Sequence, residues 1–391
     1  MLTRRLSDVI VVGAGVVGAA CAAYAVRAGL RVTVVDRGAV AGGTTGAGEG
    51  NLLVSDKAPG PELELFLISA RSWAELASAD LPSTVEYEAK GGLVVAQDDA
   101  GAAALAEFAD RQREAGVDAE PVPADRLRDL EPHLAPGLAG GVHYPGDAQV
   151  MPALAAAHLL RGCGDAVTLR LGEEVTAVLR GPGGEVRGVR TPRGEIHAPY
   201  VVNAAGVHGG ELARLAGVHL PVLPRRGFVL VTEPLPRVVR RKVYAADYVA
   251  NVASGSAALQ TSAVVEGTQA GPVLIGASRE RVGFDRTLSV PALRRLAAGA
   301  VALFPVLAGV RAMRTYAGFR PYLPDHLPAI GPDPRVPGLV HACGHEGAGV
   351  GLAPATGSVV AACLTGGEPP LDIAPFRPDR FEADAGKAAT G

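Results

Sequence analysis

The sequence predicts an α/β protein. A parallel-sheet domain is assembled from the start, part of the middle and the end of the chain, and a second, mainly antiparallel α+β domain is inserted into it. Three observations predict this. A complete strand–turn–helix–strand unit opens the chain, strand–helix alternation returns near its end, and the middle is rich in strand candidates. The 391 residues suffice for two domains, each with its own core. Hydrophobic residues make up 48% and charged residues 20%, which excludes a disordered chain. A net charge of −3 gives no bulk attraction to nucleic acid, so none is expected as a partner. Cys21, Cys163, Cys343 and Cys363 are scattered without a CxxC pair. That spacing fits neither zinc nor iron–sulfur ligation, and no metal site is expected. So few cysteines make no disulfide framework, and the expected location is cytoplasmic.

Each element has a local reason. Residues 7–12 (SDVIVV) are a short apolar run suited to a buried parallel strand. A glycine turn follows at 13–18, then an alanine-rich helix over 19–28 that ends at Gly29. Residues 30–35 form the next strand, closed by Asp36. The segment 42–51 is too glycine-rich for an ordinary helix start. Residues 61–79 read as an amphipathic helix with proline in its first turn, 91–96 as a strand and 102–115 as a polar helix. Residues 173–191 read as a hairpin turning at Pro182-Gly183-Gly184, and 196–204 as one apolar run. Residues 227–232, 257–265 and 273–276 are strand candidates for a separate sheet. The stretch 344–365 is glycine-rich and then helical, and the polar end from Asp379 is expected to fray.

Residues 9–26 are 18 consecutive uncharged positions preceded by Arg4 and Arg5, the length of a borderline membrane helix or signal peptide. Gly13, Gly15 and Gly18 interrupt the run in a turn-forming pattern, a second strand follows at once, and no other long apolar run exists. No integral membrane segment is therefore expected.

The turn carries the chemistry. Gly13-x-Gly15-x-x-Gly18 between a strand and a helix is the Rossmann-type dinucleotide fingerprint. Gly13 permits the tight turn, Gly15 leaves room for a pyrophosphate, and Gly18 lets helix and strand approach. The helix start at Val16 and Val17 offers N–H groups and a positive dipole end to phosphate. Asp36, next to Arg37, is placed to accept hydrogen bonds from ribose hydroxyls. The fingerprint alone does not separate NAD from FAD. The 42–51 loop favours a flavin nucleotide, because its backbone N–H groups and the hydroxyls of Thr44 and Thr45, with Gly50 and Asn51 behind them, suit a pyrophosphate or flavin. The segment Val201-Val202-Asn203-Ala204-Ala205-Gly206 runs a strand into small residues that a cofactor can pass closely.

With these motifs the chain resembles the FAD-dependent D-amino-acid oxidase (DAO) superfamily, notably its glycine oxidase-like branch and the flavin subunits of D-hydroxyproline and opine dehydrogenases. The resemblance runs from residue 9 to about 367. Beyond the motifs above it rests on Val264-Val265-Glu266-Gly267-Thr268, on 276–285 (GASRERVGFD), on Gly318-Phe319-Arg320-Pro321 with Asp325 and Pro328-Ala329-Ile330-Gly331, and on Gly344-His345 with 349–354 (GVGLAP). It implies a discontinuous Rossmann-like FAD-binding domain (1–85, 145–215 and 316–378), an inserted substrate-binding domain (86–144 and 216–315) and a flexible tail (379–391). It implies FAD held without a covalent link, adenine near Val175, and the ring's pyrimidine end near Gly344, Gly347, Gly349, Val350 and Gly351, with Gly318 beside it.

The implied activity is oxidation of the C–N bond of an amino or imino acid by hydride transfer from the α-carbon to flavin N5. Arg320 is the expected carboxylate-binding residue, since a guanidinium fork pairs bidentately with a carboxylate. His345 and Tyr248 are the other expected catalytic-site residues, and Tyr244 is a further candidate to cap the pocket. Some glycine oxidase-like relatives carry a second arginine just after the glycine–histidine pair. Here that stretch is Glu346-Gly347-Ala348, so a clamp from that position is absent, and Glu346 either attracts a substrate ammonium or faces solvent. The basic run Arg237-Val238-Val239-Arg240-Arg241-Lys242 reads as a solvated face, or as a docking patch for an acidic partner. The alternative function is a flavin subunit of a heteromeric amino-acid or opine dehydrogenase that passes electrons to an iron–sulfur or other accepting partner.

Overall fold

The computed structural model describes residues 7–78, 82–252 and 254–382. Arg4, Arg5, Ala79 and the tail beyond 382 lie outside the described residues.

The first sheet has six strands in the order Ala329–Pro332, Leu339–Cys343, Tyr200–Asn203, Val9–Val12, Val32–Asp36, Val167–Leu171. All neighbours are parallel except the outer pair formed by Ala329–Pro332 and Leu339–Cys343. Every residue of the Val9–Val12 strand is buried, which is why it reads as a continuous apolar run rather than an alternating one. The uncharged stretch is thus a strand followed by the Val16–Arg27 helix, and among the described residues no helix is long and apolar enough to cross a membrane. That helix packs against the Gly349–Thr365 helix, and the approach needs Gly357: a Cβ there would lie 2.8 Å from the Ala20 carbonyl oxygen.

A three-stranded antiparallel sheet, Gly194–His197, Val186–Thr191 and Ala177–Arg180, contains the expected hairpin. The single apolar run expected over 196–204 is instead two strands in different sheets, separated at Ala198-Pro199, because proline cannot donate to a ladder.

The larger sheet has eight strands in the order Ala312–Tyr322, Leu223–Thr232, Val273–Arg279, Gln260–Gly267, Lys242–Ala245, Gly92–Ala96, Gly140–Tyr144, Glu120–Pro123. It is antiparallel apart from the pairing of Lys242–Ala245 with Gly92–Ala96. The Val290–Leu303 helix covers one face, its start capped by Ser289, whose side chain accepts the Ala292 N–H. The Ala312–Tyr322 strand runs on past residue 315, where the parallel-sheet domain was expected to resume, and carries Arg320 to the junction of the two sheets.

Two surface expectations are refined. The first residues of the expected tail, Asp379 to Phe381, close a 3₁₀ turn at Pro378–Phe381, in which Phe381 is buried and Arg380 Nε bonds Asp325 Oδ2 at 2.6 Å. The basic run is not one solvated face. Arg237 and Arg240 are exposed, but Arg241 is half-buried, the backbone N–H groups of Arg240 and Arg241 go to the buried Glu131 carboxylate, and Lys242 is a buried strand residue ion-paired with Glu266.

Candidate active site

A cleft of about 690 Å³ lies where the two large sheets meet. Its near end is lined by Gly13, Gly15, Val16, Val17, Asp36, Arg37, Val175, Ala205 and Gly206. Its far end is lined by Glu49, Asn51, Tyr248, Gly318, Arg320, His345, Gly347, Gly349 and Val350, with Thr44 and Thr45 along the wall. Sixteen of the twenty residues expected at the cofactor therefore face one cavity, together with the three expected catalytic-site residues. Gly18, Gly50, Gly344 and Gly351 do not line it. Each is a packing glycine: an added Cβ would lie 2.0 Å from the Gly13 carbonyl oxygen, 1.7 Å from the Val150 carbonyl oxygen, 2.2 Å from Leu323 Cδ1 and 2.9 Å from Phe66 Cε2, respectively.

At the near end Asp36 holds the turn together. Its Oδ2 accepts the Ala14 N–H at 2.7 Å and its Oδ1 accepts the Gly38 N–H at 2.7 Å. The threonine hydroxyls are more occupied than expected. Thr44 Oγ1 donates to the Phe319 carbonyl at 2.7 Å, tying the loop to the Arg320 strand, and Thr45 Oγ1 accepts the Val16 N–H at 3.0 Å. Arg37 bonds His208 and lies 3.7 Å from Glu174, and His208 stacks on Phe284 with ring centroids 4.9 Å apart.

The far end is electrostatically unusual. Arg320 Nη1 donates to the Ser278 carbonyl at 2.8 Å, and no carboxylate of the described residues forms an ion pair with it. Burial lowers its pKa, and the nearby positive charge of Arg279 lowers it further. Gly227 makes the berth: a Cβ there would sit 2.2 Å from Arg320 Nη1. Tyr248 stacks edge-on to Tyr244 with centroids 5.0 Å apart, and burial raises the pKa of its phenol. Tyr244 itself belongs to the core, its hydroxyl donating to Ser55 Oγ, and it does not line the cleft. His345 is 4% exposed and its Nε2 lies 3.0 Å from Thr356 Oγ1. Burial pushes its pKa down to about 3, so it is neutral at physiological pH.

Glu346 lines the cleft, is mostly buried and is already paired. It pairs with Arg225 and with His326 Nδ1 at 3.0 Å; burial pushes its carboxyl up, and these two partners more than offset that and hold it low. Glu49, which the sequence did not single out, has one oxygen, Oε1, buried without a hydrogen bond. Burial raises its pKa, against the pull of Lys242 and Arg320. Arg279, Gly227 and Ser278 were missed as well. They come from strands remote in sequence, and only the sheet register brings them to Arg320.

A dinucleotide turn opening onto a cleft that ends at an unpaired arginine defines a nucleotide-dependent oxidoreductase class. The chain belongs to the FAD dependent oxidoreductase (DAO) family, whose model matches residues 8–363. Hydrogen cyanide synthase subunit HcnC of Pseudomonas aeruginosa is 30% identical over 429 residues, covering 99% of each chain. Glycine oxidase of the same species is 33% identical over 384 residues, covering 95% of this chain and 98% of that one. The crystal structure of glycine oxidase from Geobacillus kaustophilus superposes with a TM-score of 0.86 at 27% identity, over 96% of this chain and 98% of that one. L-Proline dehydrogenase from P. horikoshii shares the fold, with a TM-score of 0.87 at 23% identity, over 97% and 98% of the two chains.

FAD is the cofactor of this family, and the cleft fits it. The Gly349–Thr365 helix begins at the cleft without a side-chain cap, and the Val16–Arg27 helix gives only its Val16 N–H to a side chain, that of Thr45, so both N-terminal dipoles point at the cleft, toward a pyrophosphate and the electron-rich end of a flavin. A Cβ on Gly43 would meet nothing within 4 Å and one on Gly206 only Thr44 Oγ1 at 3.9 Å, which leaves backbone open to the cavity.

Proposed function

We propose that this chain oxidises the C–N bond of an amino or imino acid whose carboxylate is bound by Arg320. The observation that carries this reading is a buried guanidinium, without an acidic partner among the described residues, at the end of a flavin-sized cleft. An unpaired buried cation is costly, and an anionic substrate group removes that cost. FAD, when bound, accepts the two electrons released as the C–N bond is oxidised. Arg320 fixes the carboxylate and hence the α-carbon beside it. The Ser278 carbonyl and the Gly227 berth fix Arg320. Tyr248 walls the pocket with a protonated phenol, and His345 contributes shape without charge. The substrate nitrogen reacts in its neutral form, so its proton leaves before oxidation. The similarity to glycine oxidase supports an amine substrate.

Anaerobic bleaching of the flavin by a panel of amino and imino acids, followed by admission of air, tests this. At least one amine bearing a carboxylate should reduce the flavin. Arg320→Met should lower kcat/KM on it by about 10- to 150-fold, the loss of one charge-assisted bidentate contact. No reduction by any member, or an Arg320→Met protein with unchanged kcat/KM, overturns the assignment.

A second reading has its own support. HcnC is named as part of a multi-subunit synthase, and one component of the anaerobic glycerol-3-phosphate dehydrogenase of Escherichia coli is 30% identical over 340 residues. On this reading the chain is a flavin subunit that hands electrons to a partner protein. Slow reoxidation in air, with copurification of a redox partner, distinguishes it from an oxidase.

A further inference from the structure

A second cation stands beside Arg320. Arg279, at the end of the Val273–Arg279 strand, is 4% exposed. Its guanidinium carbon lies 4.9 Å from the centroid of the Tyr248 ring, the residue that walls the cleft next to Arg320. The two arginines are joined through the chain, because the carbonyl that receives Arg320 Nη1 is that of Ser278, the neighbour of Arg279. No described carboxylate forms an ion pair with Arg279. Asp247 is close enough to feel its charge but is held by Ser262.

The acids nearby do not cancel the two guanidiniums. Glu266 is matched by Lys242, which leaves Glu49 as the one acid of the cleft end without an ion pair among the described residues. Arg320 and Glu49 thus line the cleft end, and Arg279, packed over the ring of Tyr248, stands just outside the lining with Asp247 near enough for their charges to act on each other. Side-by-side buried cations repel, and the arrangement is stable only when anionic groups lie between them.

We infer that the substrate is an amino dicarboxylic acid, with one carboxylate on Arg320, the other on Arg279, and its protonated nitrogen facing Glu49. Two carboxylates and one ammonium then face Arg320, Arg279 and Glu49, while Asp247 offsets part of the charge of Arg279. This rests on the assignment of Arg320 to a substrate carboxylate and adds the class of molecule that carries it. Arg279 is then a specificity-determining residue. A monocarboxylic amino acid satisfies Arg320 and leaves Arg279 unpaired.

The test uses the FAD-loaded enzyme. Succinate and glutarate, which have no C–N bond to oxidise, are titrated against acetate and butyrate, with binding read by calorimetry or by perturbation of the flavin spectrum. One dicarboxylate should bind at least about tenfold more tightly than either monocarboxylate. Arg279→Met should collapse that ratio toward one, and Arg279→Lys should restore part of it. Glu49→Gln should raise the concentration of iminodiacetate, which carries the nitrogen, that half-bleaches the flavin without oxygen, and should do so by a larger factor than it weakens glutarate, which has no nitrogen. Equal affinity for the two classes in the wild-type enzyme overturns the inference even if a variant fails to fold. So does a parallel loss of both classes in Arg279→Met, which would mean that two guanidiniums share one carboxylate. Failure of the underlying assignment looks different: Arg320→Met would then leave both classes bound as before.

Discussion

Gly227→Ala perturbs the site without removing any charge. Gly227 faces Gly318 across the ladder between the Leu223–Thr232 and Ala312–Tyr322 strands, two residues from the Arg225–Arg320 pair. A Cβ at 227 would lie 2.2 Å from Arg320 Nη1, 3.0 Å from its Cζ and 2.5 Å from the Ser278 carbonyl oxygen. Carbon cannot approach a nitrogen or oxygen so closely, so the guanidinium must leave its berth and the 2.8 Å bond to Ser278 must break. The backbone carbonyl yields less readily than the side chain, so the substitution also overpacks the sheet, at about 1–3 kcal/mol of stability. The functional cost is larger in proportion. A displaced Arg320 forfeits a charge-assisted contact of about 1.5–3 kcal/mol, or about 10- to 150-fold in kcat/KM. The assay pairs anaerobic flavin reduction against substrate concentration with flavin content and Tm. The expected result is full flavin content, a modest fall in Tm and a loss in kcat/KM resembling that of Arg320→Met. A folded Gly227→Ala enzyme with wild-type kcat/KM would refute the reasoning, because the guanidinium would then not need this berth.

Two further outcomes follow from buried charge. Lys242→Met leaves Glu266 without its partner, and breaking such a buried pair costs about 3–5 kcal/mol, so Tm should fall steeply and the double variant Lys242→Met/Glu266→Gln should recover much of it; a Lys242→Met protein as stable as wild type contradicts the pairing. His345 has its folded pKa pushed down to about 3, below the unfolded value of about 6.5, so the unfolded chain takes up the proton first as pH falls. Its contribution is complete above about pH 6.5 and shrinks toward pH 3, by up to about 4 kcal/mol, so denaturant unfolding should show wild type losing more stability than His345→Gln between about pH 6.5 and pH 4; matching slopes would count against a buried neutral imidazole.

The two ends of the cleft differ in how they are written into the sequence. The nucleotide end is built from backbone: a strand, three spaced glycines, a helix start and Asp36 within 28 consecutive residues, 9–36. Each requirement there is local, so the motif is legible as a string. Even so, the glycines at 50, 344 and 351 were read as making room for a cofactor, whereas they make room for Val150, Leu323 and Phe66; Gly18, expected to let helix and strand approach, packs on Gly13. An absent Cβ shows that something is close, not on which side it lies. Thr44 and Thr45 illustrate the same ambiguity, since a hydroxyl that suits a phosphate suits a carbonyl or an N–H equally well.

The substrate end is built from side chains remote in sequence, some brought together by sheet register, Tyr248 by the Asp247–Val252 helix and Glu49 by a loop. Glu49, Gly227, Tyr248, Arg279 and Arg320 come from five separate segments, and Arg320 was legible only because its Gly-Phe-Arg-Pro setting resembles a family pattern. The resemblance carries a role over for Arg320 with its motif, whereas Arg279 lies inside the 276–285 segment that also supports the resemblance but comes with no role attached. The position after His345, where the sequence offers no arginine, carries Glu346, which is taken up by Arg225 and His326. Arg279 ends a different strand yet comes against Tyr248, close enough for its charge to be felt at Arg320. Specificity in such a site can therefore change by one substitution at a strand end, with the sheets, the helix dipoles and the nucleotide turn left as they are. That separation of parts is what makes Arg279, rather than any residue of the fingerprint, the position at which substrate class is decided.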